Sequence, residues 1–211
     1  MKKITLLLYG FLIGMSVMSC DEPKEIKPNI VFILADDLGY ADLSSYGSEF
    51  INTPFLDEMA VNGAKLTSYY SSQAVCSASR AAILTGTYSN RIGINGAFGP
   101  KSKRGINENE LLISEMLKEN GYKTGIFGKW HLGDADKFKP TRHGFDEFFG
   151  ILFSNDMWPF HPEFPNAFPD DLLLYRNEKP IETLIDQSDL TKRRTDDSIT
   201  FINENKDTPF Y

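Results

Sequence analysis

The chain has 211 residues, of which 41% are hydrophobic, enough for a packed domain and too apolar for a disordered one. Its formal charge of -7 excludes general nucleic-acid binding, which needs a basic face. An anionic substrate stays open, because a few local cations can hold one.

The first residues read as an export signal. Lys2 and Lys3 precede a mostly apolar run, Ile4 to Val17, too short to span a bilayer comfortably. The run ends in Val17-Met18-Ser19-Cys20, which resembles a bacterial lipobox. That resemblance implies cleavage before Cys20 and diacylation of its thiol. Residues 1–19 are then a lipoprotein-type signal peptide and residues 20–28 a polar tether. The protein is expected on the periplasmic or outer-surface side of a bacterial membrane, held there by lipid. An ordinary signal peptide with an incidental Cys20 is the plain alternative. Cys76 is the only other cysteine, so an acylated Cys20 leaves it without a disulfide partner.

Residues 29–211 read as an alternation of strands and helices, hence an α/β domain with a largely parallel sheet. Asn29 to Ala35 is a continuous β-rich apolar run, the pattern of a strand buried on both faces. Thr53-Pro54 starts a helix that Gly63 stops, and Ala64 to Tyr70 reads as a second strand. A helix is expected over Ser77 to Thr85. An amphipathic one is expected over Asn107 to Asn120, with Gly121 as its stop. Lys123 to Phe127 reads as a short strand leading into Gly128-Lys129-Trp130-His131. Trp158 to Pro169, rich in Pro and Phe, is expected as an ordered loop near the site. Thr195 would cap a helix running to Asn205, and Pro209-Phe210-Tyr211 starts a strand, so the chain ends as if cut inside a domain.

Four clusters carry chemistry. Asp36-Asp37 follows the first expected strand; adjacent carboxylates suit a hard cation such as Ca²⁺ or Mg²⁺, or simply a solvated turn. Cys76-Ser77-Ala78-Ser79-Arg80 places a thiol at a helix start, where backbone N–H groups favour anions, with Arg80 one turn along. By itself that describes an activated thiolate or a buried structural Cys. Lys129 and His131 in Gly128-Lys129-Trp130-His131-Leu132-Gly133 form the third cluster. The fourth is Gly144-Phe145-Asp146-Glu147-Phe148-Phe149-Gly150, read as packing, followed by Ser154-Asn155-Asp156-Met157. His143 and His161 read as structural or loop-bound, and His161 also as a candidate for the substrate rim.

These motifs resemble the sulfatase family. Its signature is Cys-x-Pro-Ser-Arg, with Ala an accepted variant at the third position, and Leu-Thr-Gly a few residues on; here Ala78 occupies that position and Leu84-Thr85-Gly86 follows. Asp36-Asp37-Leu38-Gly39 matches the metal motif, and Gly128 to Gly133 the second signature. Asn155-Asp156-Met157 and Tyr175-Arg176-Asn177-Glu178 resemble the arylsulfatase A and N-acetylgalactosamine-6-sulfatase branch.

The resemblance implies an alkaline-phosphatase-like fold, a mixed sheet flanked by helices. It implies a sulfuric ester hydrolase whose Cys76 a maturation enzyme oxidises to formylglycine. The hydrated aldehyde attacks sulfur. Arg80 and Lys129 offset the charge, His131 moves a proton of the diol, and Ser154 and Lys129 bind the sulfate. Ca²⁺, or Mg²⁺, is held by Asp36, Asp37 and the group made from Cys76. The implied substrate is a sulfated glycan or an aryl sulfate. Another His, an Asp-Asn pair and a second Lys, which the family supplies from later sequence, are not in these residues. The 211 residues alone are therefore expected to be inactive. Two rival readings stay open. One is a phosphonate or phosphodiester hydrolase of the same superfamily; the other is a lipid-anchored glycan-binding protein with a degenerate enzyme fold.

Overall fold

The computed structural model describes residues 27–165 and 167–211. Cys20, the signal peptide and most of the tether lie outside the described residues. Four strands form one sheet in the order β1-β2-β3-β4: β1 Gly125–Lys129, β2 Glu147–Ile151, β3 Leu173–Arg176 and β4 Lys179–Thr183. The sheet is mixed, as expected, but among the described residues only one of its three strand pairings is parallel, where a largely parallel sheet was expected. Its parallel part is the β1–β2 pair, joined by a parallel bridge between Lys123 and Phe210, while the extension through β3 and β4 is antiparallel.

The alternation along β2 divides the core. Phe148 faces a cluster with Ala78, Ala81, Ile106, Leu112 and Trp130. Phe149 and Ile151 face a second cluster with Leu174, Leu184 and Leu190. Helix α2, Cys76–Thr85, can approach closely because Ser77, Ala78 and Ala81, the residues it buries, are small. Helix α4, Leu190–Asn205, covers the other face, where Phe201 meets Phe127 at 5.4 Å and Phe210 at 6.1 Å between ring centroids. At the middle of β1–β2 the backbones leave no room for side chains. A Cβ built on Gly150 would lie 1.8 Å from the Gly128 carbonyl oxygen.

Several expectations need correction. Asn29 to Ala35 is not a strand, and Val31 to Leu34 are exposed. Ile30 N–H donates to the Phe210 carbonyl at 2.8 Å, the segment's one backbone bond outside the regular elements, and propensity cannot replace a ladder partner. Ala64 to Tyr70 is also not a strand, for its carbonyls are taken by side chains: Tyr46 OH donates to Leu66 O at 2.8 Å and Tyr40 OH to Tyr69 O at 2.7 Å. Helix α1, Pro54–Asn62, is as expected, started by Pro at its first position.

Helix α3 is shorter than expected, Ile113–Glu119. Asn107 turns the preceding chain back on itself, its side chain accepting from Asn109 N at 2.9 Å. Helix α4 starts five residues before Thr195, whose hydroxyl instead donates back to the Thr191 carbonyl at 2.9 Å. Strand β1 begins and ends two residues later than predicted, so Lys129 is its last residue.

Candidate active site

The site lies where β1 and β2 end. The β1–β2 register pairs Lys129 with Ile151, and the ladder continues beyond both strands. Trp130 N donates to Ile151 O at 3.0 Å and His131 N to Leu152 O at 3.1 Å. This brings Ser154 to Lys129, whose ammonium donates to Ser154 Oγ at 3.1 Å. Lys129 is buried, its side chain 6% exposed, and its Nζ lies 2.6 Å from Asp36 Oδ2.

Arg80, on α2, reaches the same place from the other face of the sheet. Its NH1 donates to the Lys129 carbonyl at 2.6 Å and its NH2 to Asp36 Oδ1 at 3.3 Å, with 12% of the side chain exposed. Asp36 thus has one carboxylate oxygen on each cation. Burial would push its carboxyl up, but the Lys129 hydrogen bond and the charges of Lys129 and Arg80 outweigh this and hold it below the ordinary value. Cys76 is a free, half-buried thiol on the first residue of α2, after the extended Val75.

His131 is fully buried, in a left-handed backbone conformation with φ 62°. Its Nε2 lies 2.7 Å from the Phe98 carbonyl, which can only accept, so Nε2 carries the proton. Nδ1 is buried without a hydrogen-bond partner among the described residues. Burial, then the charges of Lys129 and Arg80, lower its pKa to about 4, against the opposing pull of the Phe98 carbonyl. At neutral pH the ring is neutral, with its Nδ1 lone pair unused.

The structure therefore gathers Asp36, Arg80, Lys129 and Ser154 into one hydrogen-bonded cluster and places Cys76 four residues before Arg80 on the same helix. Asp37 is exposed, with φ 59°. Among the described residues, no three of His, Cys, Asp and Glu come together to hold a metal, so the expected set of Asp36, Asp37 and Cys76 does not form a closed site here. In donor chemistry the pair fits a hard cation, since both are carboxylates and Asp36 is kept ionised, although the Asp36 oxygens rest on Arg80 and Lys129 and a cation would have to share them.

His143 is buried, stacked on Trp130 at 6.0 Å, a core residue as expected. His161 is a turn residue, its Nδ1 accepting from Glu163 N at 3.1 Å and Phe164 N at 3.0 Å.

Two participants were not legible in the sequence. Ser77 fixes Phe98, whose N–H donates to Ser77 Oγ at 3.0 Å; its place beside Cys76 in the signature was the available signal. Arg194 on α4 has Nε and one NH2 buried without partners among the described residues. Burial lowers its pKa, and the charges of Arg80 and Asp36 both reach it. A charged residue inside a helix carries no sequence signal for that position.

A family model described as Sulfatase matches residues 28–211. The chain belongs to the sulfatase family. Arylsulfatase A of Bos taurus is 42% identical over 166 residues, which cover 76% of this chain and 33% of that protein. N-acetylgalactosamine-6-sulfatase of Rattus norvegicus is 34% identical over 224 residues, covering 97% of this chain and 41% of that protein. Among solved structures, Ps i-CgsB in complex with k-i-k-neocarrahexaose is similar at a TM-score of 0.74 and 33% identity, over 88% of this chain and 44% of its own. This sulfatase chain thus spans less than half the length of these relatives.

Proposed function

We propose that the protein hydrolyses sulfate esters of glycans through a formylglycine made from Cys76, with a bound divalent cation. The observation that carries the reading is the convergence of two largely desolvated cations, Arg80 and Lys129, on the Asp36 carboxylate, with Ser154 bound to Lys129, in a chain of the sulfatase family. The oligosaccharide bound by Ps i-CgsB supports a glycan as substrate.

The residues' roles follow from their positions. Lys129 and Arg80 are fixed, largely desolvated charges, which stabilise the negative charge that spreads over the sulfuryl oxygens in the transition state. Ser154 orients the Lys129 ammonium and offers a hydroxyl to a sulfate oxygen. His131, neutral and with Nδ1 unbonded, accepts a proton at that nitrogen and is held in this tautomer by Phe98. Asp36 and Asp37 would hold a Ca²⁺ or Mg²⁺, which supplies Lewis-acid charge to the sulfate when bound. A hydrated aldehyde made from Cys76 would supply one hydroxyl as nucleophile and a second through which sulfate is released. The net reaction is ester plus water to alcohol plus hydrogen sulfate.

The proposal extends to export and lipid anchoring at Cys20. Cys20→Ser should move the protein from the membrane to the soluble fraction, since two acyl chains anchor firmly; unchanged membrane association would exclude the anchor. For the reaction, the full-length protein is co-expressed with a formylglycine-generating enzyme. The Cys76 peptide is then analysed by mass spectrometry, and an aryl sulfate is assayed. An aldehyde at Cys76, with turnover abolished in Cys76→Ala, is expected. Substantial turnover by Cys76→Ala would refute the mechanism.

A further inference from the structure

Beyond Ser154 the chain builds an aromatic ledge that no step of the hydrolysis uses. The loop leaves the site in tight turns. Met157 N donates to Ser154 O at 3.1 Å, Trp158 N to Asp156 O at 3.0 Å, and Gln187 Nε2 to Asn155 O at 2.9 Å. Trp158 packs against the Phe149–Leu190 core and takes Phe160 edge-on, with ring centroids 5.2 Å apart and planes at 72°. His161 ties the next turn through Nδ1, and its ring lies 5.1 Å from that of Phe164. Phe160 and Phe164 nevertheless remain 62% and 60% exposed.

One exposed aromatic residue is ordinary on a protein surface. Two on a hydrogen-bonded loop, footed on a half-buried Trp and following Ser154, whose hydroxyl accepts from Lys129, form a surface with a direction. A pyranose ring offers the matching shape: one apolar face of C–H bonds and a rim of hydroxyl or sulfate groups. An aromatic face accepts the C–H bonds, while the Ser154–Lys129 end takes an anionic substituent. The aromatic side chains give this contact area at little conformational cost.

We propose that Trp158, Phe160 and Phe164 form a sugar-binding ledge on which a pyranose ring of the substrate stacks while its sulfate sits between Arg80 and Lys129. The inference rests on the sulfatase reading above and adds a selectivity device to it. His161 is a positioning residue, because its Nδ1 ties the turn by accepting from Glu163 N and Phe164 N. Phe160 and Phe164 select sugars over simple aryl sulfates.

The test uses the full-length protein with converted Cys76. Specificity constants are measured on a sulfated oligosaccharide and on a chromogenic aryl sulfate, for the wild type, Phe160→Ala, Phe164→Ala and Phe160→Tyr. The ratio of oligosaccharide to aryl sulfate should fall about tenfold in each Ala variant, which is about 1.4 kcal/mol of lost contact. Phe160→Tyr, which keeps the ring, should restore most of it. A ratio within about twofold of wild type in both Ala variants would overturn the ledge. Should the wild type hydrolyse no sulfate ester, it is the proposed function that fails. Calorimetric titration with the same oligosaccharide, stripped of sulfate, then decides the ledge alone: binding weakened by both Ala variants supports it, and equal or absent binding overturns it.

Discussion

Ser77 and His131 hold the two polar backbone atoms of a single residue. Ser77 Oγ accepts the N–H of Phe98 at 3.0 Å, and His131 Nε2 donates to its carbonyl at 2.7 Å. The start of α2, which carries Cys76, and the turn after β1 are thereby linked through one peptide segment. The same contact decides which nitrogen of His131 is left to accept a proton.

That contact makes the His131 ring a pH probe of the fold. Burial holds its pKa near 4, against an unfolded value near 6.5. Between those values the unfolded chain binds a proton that the folded one does not. Stability is therefore lost as pH falls from 6.5 towards 4, by an amount on the order of 3 kcal/mol, and is fully present above 6.5. Proton NMR should show a His131 ring that does not titrate above about pH 5. An ordinary titration near 6.5 would disprove the buried, neutral ring.

Arg80→Lys should cost more than its conserved charge suggests. The guanidinium reaches two acceptors at once, the Lys129 carbonyl at 2.6 Å and Asp36 at 3.3 Å. A single ammonium cannot span both in the same plane. Turnover of an aryl sulfate by the full-length protein should fall at least tenfold, about 1.4 kcal/mol in barrier. A loss under about threefold would place Arg80 away from the reacting centre.

Gly150→Ala should destabilise the sheet by about 1–3 kcal/mol or prevent folding, because the added methyl meets the Gly128 carbonyl oxygen at 1.8 Å. Thermal melting measures this. A melting temperature within a degree of wild type would rule out the close approach of β1 and β2 at Gly150.

Calcium should stabilise the full-length protein through the two carboxylates. At about 100 times its dissociation constant the gain is about 2.7 kcal/mol, visible as a rise in melting temperature that a chelator reverses. Asp37→Asn should lose most of the rise. An equal rise in Asp37→Asn would assign the cation elsewhere.

The site was more legible than the sheet. Asp36, Arg80, Lys129 and Ser154 each sit in a short motif that stands out through its resemblance to the sulfatase family, and the fold brings the four motifs together. Strand identity is less local. Asn29 to Ala35 has ideal strand composition, yet hydrogen-bonded partners, which no single segment contains, decide whether it joins a ladder. The β3–β4 hairpin went unread because its turn, Asn177-Glu178, lacks the Gly that usually marks a two-residue turn; only Asn177 takes positive φ, at 55°. Thr195 looked like a helix cap, but Ser, Thr and Asp also occur inside helices, and the chain enters α4 after Asp189. Arg194 shows the limit on charge, since its buried guanidinium nitrogens lie on a helix that packs against β1 and β2, which its own sequence does not announce.

The backbone bonds from Trp130 to Ile151 and from His131 to Leu152 carry the β1–β2 ladder past both strands. They make Lys129 and Ser154 parts of one rigid frame, although they lie in different segments. The loop that begins at Asn155 is bolted to that frame at its root and can vary beyond it. Exchanging the loop tip should therefore change what the loop presents to a bound molecule, while the cationic centre keeps its geometry.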